Sequence, residues 1–227
     1  MTQLSTPTAT RVAPASVLVA GLDLGTGRER EADELVQSMA AALIRIGALD
    51  LTAATHGASV DEDRHVAVSI GCTGIATDVL VDAVRSAVEQ PPAEWALLVV
   101  EHALGPPAFG QPGSELVCLG AERLRPSVTA AVAAHRTRPS GRVVVFPGSE
   151  LIGAEATVGE LVGSTAIDRV QVLAAPDPDE EAVVVTRHFL RPRWVDGQLV
   201  LHVQPGVGGT LVPFEVPTPT PCCAAHA

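Results

Sequence analysis

Hydrophobic and polar positions along residues 17–146 alternate between strand-like and helix-like patterns. Runs of apolar, mostly β-branched residues predict strands at Val17–Asp23, Leu49–Ala54, His65–Ile70, Ala96–Glu101, Glu115–Gly120 and Arg142–Phe146. Apolar residues at helical spacing predict helices at Arg28–Ile46, Ala76–Gln90 and Pro126–His135. Because the two kinds of element alternate, the pattern predicts an α/β fold with an alternating strand–helix layered sheet.

The order of elements over residues 17–101 is β-α-β-β-α-β, which is typical of a ferredoxin-like arrangement. After Pro147 the pattern changes, and we expect a β-rich annex over residues 147–210. Its predicted strands are Arg169–Leu173, Ala182–Leu190 and Gln198–Val203. Asp196-Gly197 lies between apolar runs and predicts a hairpin turn, because both turn residues must accept positive φ. Residues 1–16 are expected to form a flexible leader, and residues 211–227 an extended Pro-rich tail.

Composition excludes two classes of partner. The formal net charge is −11, with 26 acidic against 15 basic residues, the opposite of what a phosphate backbone requires. Aromatic residues make up 3% and Tyr is missing, which leaves few platforms for stacking bases. No apolar run is long enough to cross a membrane, and the N-terminus lacks the pattern of a signal peptide. We therefore expect a cytoplasmic protein, of bacterial type by composition, with no nucleic-acid or membrane partner.

Cys72 is the candidate nucleophile of the chain. It follows a predicted strand, precedes a predicted helix and is flanked by Gly71 and Gly74. A helix N-terminus favours the thiolate form of a cysteine, which is the reactive form. The alternative interpretation is a small buried cysteine that fills a tight turn.

Two segments carry a partial resemblance to a known family. Val17–Glu29 resembles the opening strand and Gly-rich turn of β-ketoacyl synthases, which are condensing enzymes of the thiolase fold, and Val68–Gly74 resembles their nucleophile segment. Phe109-Gly110 with Glu115–Gly120 is similar to a later turn and strand, so the resemblance covers about residues 17–120. It implies a thiolase-like half, with Cys72 as an acyl acceptor and an acyl substrate. The family's Gly-His-Thr and Gly-Asn motifs are missing, so its catalytic bases are not carried over.

Gly21–Gly27, with the sequence GLDLGTG, supports a second interpretation. It resembles the first phosphate loop of the actin-like sugar kinases, in which the Asp organises a metal-bound nucleotide. That family has a hairpin directly after the loop, whereas a helix is predicted here. A structural strand-to-helix turn is the alternative.

The C-terminal tail contains Cys222, Cys223 and His226, which together are candidate metal ligands. Thiolate and imidazole are the ligands that soft transition metals such as zinc prefer. A fourth ligand would have to come from elsewhere in the chain, and a frayed tail is the alternative.

Three functions follow as hypotheses from these features. The first is an acyl-handling protein that uses Cys72, either a condensing enzyme of acyltransferase type or a degenerate relative of one. The second is a metal- or redox-linked protein that uses the tail. The third is a non-catalytic assembly protein, since sparse charge, high apolar content and an exposed hairpin edge favour a homo-oligomer. A basic cluster of Arg187, Arg191 and Arg193 is a further candidate, either for a carboxylate or phosphate or as a solvated edge.

Overall fold

The first half of the chain forms a split β-α-β arrangement. The computed structural model describes residues 16–60, 63–88, 94–103, 114–173 and 175–217. The elements of this half are β1 Ser16–Asp23, α1 Glu29–Arg45, β2 Leu49–Val60, β3 Asp63–Thr73, α2 Thr77–Ala87, β4 Ala96–Ala103, β5 Ser114–Gly120, α3 Arg125–Thr137 and β6 Ser140–Val145. Strands β4, β1, β3 and β2 lie side by side in that order, with every neighbouring pair antiparallel. Two helix-linked strands, β1 and β2, are therefore parallel and separated by β3, which is the ferredoxin-like order.

The second half extends the same sheet. Its elements are β7 Ala156–Thr157, α4 Val158–Ser164, β8 Arg169–Val172, β9 Val183–Val184, β10 Arg193–Val195, β11 Gln198–Pro205 and β12 Leu211–Pro213. Strand β6 pairs antiparallel with β2 on one side and with β10 on the other, so the sheet runs without interruption from β5 to β7. The described fold is therefore mixed α/β with one large, mostly antiparallel sheet.

The predicted hairpin across Asp196-Gly197 is confirmed, with Val195 opposite Gln198. Its expected position at a sheet edge is wrong, because β10 lies between β6 and β11. The predicted strand Ala182–Leu190 is also wrong beyond its first residues. Arg187 and His188 have φ of 52° and 59°, and two successive left-handed residues end a strand.

Both faces of the ferredoxin-like sheet are covered by helices. Successive residues of a strand point to opposite faces, so Leu18, Ala20 and Leu22 of β1 pack in the core that contains Val36 of α1 and Leu80 of α2. Val19 of β1 faces the other way. It belongs to the core under α3, which contains Leu98, Leu124, Val128 and Val132.

Two glycines let α3 approach the sheet closely. A Cβ at Gly21 would lie 2.6 Å from the carbonyl oxygen of Val128. At Gly71 it would overlap the imidazole of His135. The small strand residues therefore set the depth at which α3 packs. None of the helices within the described ranges is long and apolar enough to cross a membrane.

Candidate functional site

Cys72 lies inside the core between the sheet and helices α1 and α2. Its side chain is fully buried among Leu18, Ile70 and Leu80. Burial raises the pKa of the Cys72 thiol to about 11. A nucleophilic cysteine needs the opposite shift and access to a substrate. The surroundings of Cys72 thus favour the alternative interpretation, a small buried side chain that fills the core.

The predicted tail ligands Cys222, Cys223 and His226 lie outside the described residues. Within the described ranges, no group of three or more His, Cys, Asp or Glu side chains is arranged to hold a metal ion.

Asp23, from the segment that resembles a phosphate loop, is held by groups of the protein itself. Its carboxylate accepts hydrogen bonds from the backbone N–H of Gly25 at 2.8 Å and from the hydroxyl of Ser127. Nδ1 of His65 lies 3.3 Å away. Asp23 is fully buried, so these contacts favour the structural strand-to-helix turn.

A cleft lies between α1 and the segment 188–191, here called the α1 cleft. Its volume is about 730 Å³, within the range of ligand pockets. Strand β6 extends the sheet beyond β2, and the cleft lies over this extension, beside α1. Its apolar lining consists largely of Ala40, Ala41, Ile44, Leu49, Leu51, Val144, Phe146, Ile152 and Leu190.

Two residues that line the α1 cleft have left-handed backbone conformations. Asp50 has φ of 50° at an irregularity where the pairing of β2 with β3 shifts register. His188 is held by Thr186, whose hydroxyl oxygen accepts from the His188 N–H at 3.2 Å and donates to the Gly153 carbonyl. Such conformations are uncommon outside glycine and concentrate at functional sites.

Arg191 places a buried guanidinium on the wall of the α1 cleft. Its Nε donates to Asp33 at 3.0 Å, its Nη1 donates to the carbonyl of Leu190, and the group lies 4.2 Å from the ring centre of Phe189. Among the described residues no hydrogen bond engages Nη2. Burial lowers the pKa of Arg191 below its usual value, with opposition from Asp33.

Asp33 connects Arg191 to a second buried arginine. The Asp33 carboxylate also accepts from both terminal nitrogens of Arg142. The same guanidinium donates from Nε to Glu215 at 2.6 and 2.7 Å. Burial lowers the pKa of Arg142, but the hydrogen bonds to Glu215 and Asp33 raise it by more. Two arginines and two carboxylates therefore connect α1, β6 and the second half of the chain.

A chain of hydrogen bonds lies on the opposite face of the sheet, under α3. The Ser69 hydroxyl lies 2.8 Å from Nε2 of His56 and 2.8 Å from Nδ1 of His135. Burial lowers the pKa of His56 to about 4 and that of His135 to about 3, so both rings are neutral at neutral pH. Since a hydroxyl has one proton, Ser69 donates to one ring and accepts from the other.

The second cavity, here called the fork pocket, opens where β2 and β6 diverge. These strands pair only over Ala53–Thr55, after which β2 continues with β3 and β6 with β10. The fork pocket has a volume of about 420 Å³. Small residues of α3, Ala130 and Ala131 among them, form one wall.

Sequence reasoning identified Arg191 and Arg193 as basic candidates but missed the carboxylates that pair with Arg191 and Arg142. Asp33 occupies a helical position next to apolar residues, and Glu215 is more than seventy positions from Arg142. The α1 cleft has no local signal, because it forms between elements distant in the sequence.

Comparison with known proteins gives little further information. No model of a known protein family matches the chain, and no curated protein is similar to it. Among solved structures, a phage SAM lyase in its apo state is similar at a TM-score of 0.32 and 13% identity. The similarity covers 52% of this chain and 98% of the lyase. At this level it supports no statement on function.

Proposed function

We propose that this protein binds a small acyl compound or carboxylic acid in the α1 cleft. The ligand is still an acyl compound, as in the first hypothesis, but Cys72 has no part in binding it, because Cys72 does not line the cleft. The observation that carries the proposal is the buried guanidinium of Arg191 on the wall of a largely apolar cavity. The apolar lining suits a hydrocarbon body, and Arg191 supplies donors for a carboxylate or carbonyl oxygen.

The direct test compares acids with alcohols of equal chain length. Calorimetric titration should show affinity rising from butanoate to octanoate to dodecanoate, because each buried methylene contributes about 0.8 kcal/mol. Octanoate should bind about tenfold more tightly than octanol, because only the acid forms a charge-assisted hydrogen bond. No measurable binding of either long-chain acid would refute the proposal.

Two matched variants locate the site. Ala41 is exposed on α1 and lines the cleft, so Ala41→Trp should block it without disturbing the core. Ala130 is exposed on α3 and lines the fork pocket, so Ala130→Trp should leave octanoate binding unchanged. Equal affinity in the wild type and Ala41→Trp would show that the acid binds elsewhere.

The metal-binding hypothesis for Cys222, Cys223 and His226 remains a separate proposal that rests on the sequence alone. Elemental analysis of untagged protein should show zinc, or another soft metal, at one equivalent. The Cys222→Ser/Cys223→Ser variant should lose it and keep its fold. Equal, substoichiometric metal in both proteins would remove the tail from consideration.

Exposed apolar side chains favour assembly as a second candidate function. Ile44, Leu49 and Leu151 are 56%, 60% and 68% exposed, and the first two line the α1 cleft. Such a patch is typical of a contact between copies of a chain. Sedimentation equilibrium at micromolar concentration should show a homo-oligomer, and a monomer would count against this function.

A further inference from the structure

The fork pocket is lined by an arginine, Arg193, that is paired with no carboxylate in the described part of the chain. Arg193 of β10 lies directly opposite Arg142 of β6. Arg142 and Arg191 are balanced by Asp33 and Glu215. Arg193 is exposed and forms no ion pair with any described residue. Because the charge of Arg142 is already compensated, Arg193 is the member of this pair that an anion in the pocket would neutralise.

Hydroxyl groups surround the rest of the pocket. Thr55, Ser59, Ser127 and Ser140 line it together with the half-buried His56. The exposed Ser59 and Ser140 hydroxyls can both donate and accept hydrogen bonds. Thr55 and Ser127 already donate to the Arg142 carbonyl and to Asp23, so they can only accept. Together they match the hydroxyl groups of a polyol. Glu29 also lines the pocket and supplies a negative charge. The volume of about 420 Å³ suits a molecule of the size of a sugar phosphate.

We infer that the fork pocket binds a small polyhydroxylated anion, with its phosphate or carboxylate group against Arg193 and its hydroxyl groups toward the serine and threonine side chains. A carboxylate and a phosphate both offer a pair of anionic oxygens to the N–H donors of a guanidinium. This site is independent of the α1 cleft, because the two cavities have no lining residue in common.

Calorimetric titration with ribose 5-phosphate and with gluconate tests the inference and distinguishes the two anionic groups. At least one of them should bind, more tightly than inorganic phosphate, which lacks the hydroxyl-bearing body. Arg193→Gln should weaken that binding about ten- to hundredfold, because a charge-assisted hydrogen bond is lost. Arg85→Gln removes an equal charge from an exposed position on α2 that does not line the pocket, and should have little effect.

Two further variants distinguish binding inside the fork pocket from a general attraction of the anion to surface charge. Glu29→Gln removes the negative charge of the lining, so it should strengthen binding. Ala130→Trp should abolish binding with no change in charge, while Ala41→Trp, in the other cavity, should not. Failure of both probes to bind, or equal affinity in wild type and Ala130→Trp, would overturn the inference.

Discussion

Gly71 lies directly beneath the imidazole of His135, so that any Cβ at position 71 would overlap Nε2 of that ring. The ring has little freedom to move away. Ser69 holds its Nδ1 at 2.8 Å, and Trp194 packs edge-on with its ring centre 5.0 Å away. The close approach of α3 to β3 therefore depends on a missing side chain.

Gly71→Ala should accordingly destabilise the protein. Because His135 is fixed on two sides, the added methyl forces α3 outward, and overpacking of this kind costs about 1–3 kcal/mol. Gly57→Ala is the matched control, since it lies in the adjacent strand with no atom within 4 Å of its Cβ position. Thermal and urea denaturation should show a clear loss for Gly71→Ala alone. Equal stability of the two variants would show that α3 adjusts freely.

The buried histidines predict that stability falls as the pH is lowered. The pKa values of His56 and His135 lie near 4 and 3 in the folded protein, against an ordinary value of 6.5. Between these values the unfolded chain binds more protons than the folded protein. The free energy of unfolding is therefore highest above pH 6.5 and falls as the pH is lowered below it. Each ring contributes a slope of up to about 1.4 kcal/mol per pH unit.

Urea unfolding between pH 6.5 and 5 measures this slope above the ordinary pKa range of carboxylates. His135→Gln should lower stability at neutral pH and remove a large part of the slope. His188→Gln, which replaces an exposed histidine, should leave the slope unchanged. A wild-type stability that is constant over this interval would contradict the assignment of both rings as neutral.

Asp33 should be the most sensitive position of the ionic network. Asp33→Ala removes the partner that Arg142 and Arg191 share, and an uncompensated buried charge costs about 3–5 kcal/mol. Glu34→Ala breaks an exposed pair with Arg30 on the same helix and should change stability little. Adding Arg191→Met to Asp33→Ala should restore part of the loss. Equal effects of Asp33→Ala and Glu34→Ala in urea unfolding would argue against the network.

The alternation of patterns predicted the order of elements in the first half, but it left a thiolase-like half and a ferredoxin-like arrangement both open. Residues 96–100 of β4 are buried on both faces of the sheet and form a continuous apolar run, and the order of elements then leaves few arrangements. The segment around His188 was not predictable in the same way. Its residues have the composition of a strand, but hydrogen bonds to Ala154 and Gly153, more than thirty positions away, hold it in a turn.

The candidate site was likewise predictable only in part from the sequence. The predicted turn over residues 71–74 is wrong for Cys72, because β3 continues to Thr73 and Cys72 pairs with Leu18 of β1. Its burial depends on β1, which pairs Leu18 with it, and on the core to which Leu80 of α2 also belongs. Similarly, the basic residues Arg191 and Arg193 were visible in the sequence. Arg191 is neutralised by Asp33, whose position follows from the fold, whereas Arg193 forms no ion pair with any described residue.

The contrast between Cys72 and Cys118 leads to a final prediction. Both are free thiols, but Cys72 is fully buried with a pKa near 11, whereas Cys118 is half-buried on the edge strand β5. A thiol reacts as its thiolate and only where a reagent reaches it. In a Cys222→Ser/Cys223→Ser background, alkylation at neutral pH followed by peptide mass mapping should therefore label Cys118 first. Cys72 should react only after denaturant unfolds the core. Labelling of Cys72 in the folded protein as fast as Cys118 would show that the core opens there, and would restore Cys72 as a candidate acyl acceptor.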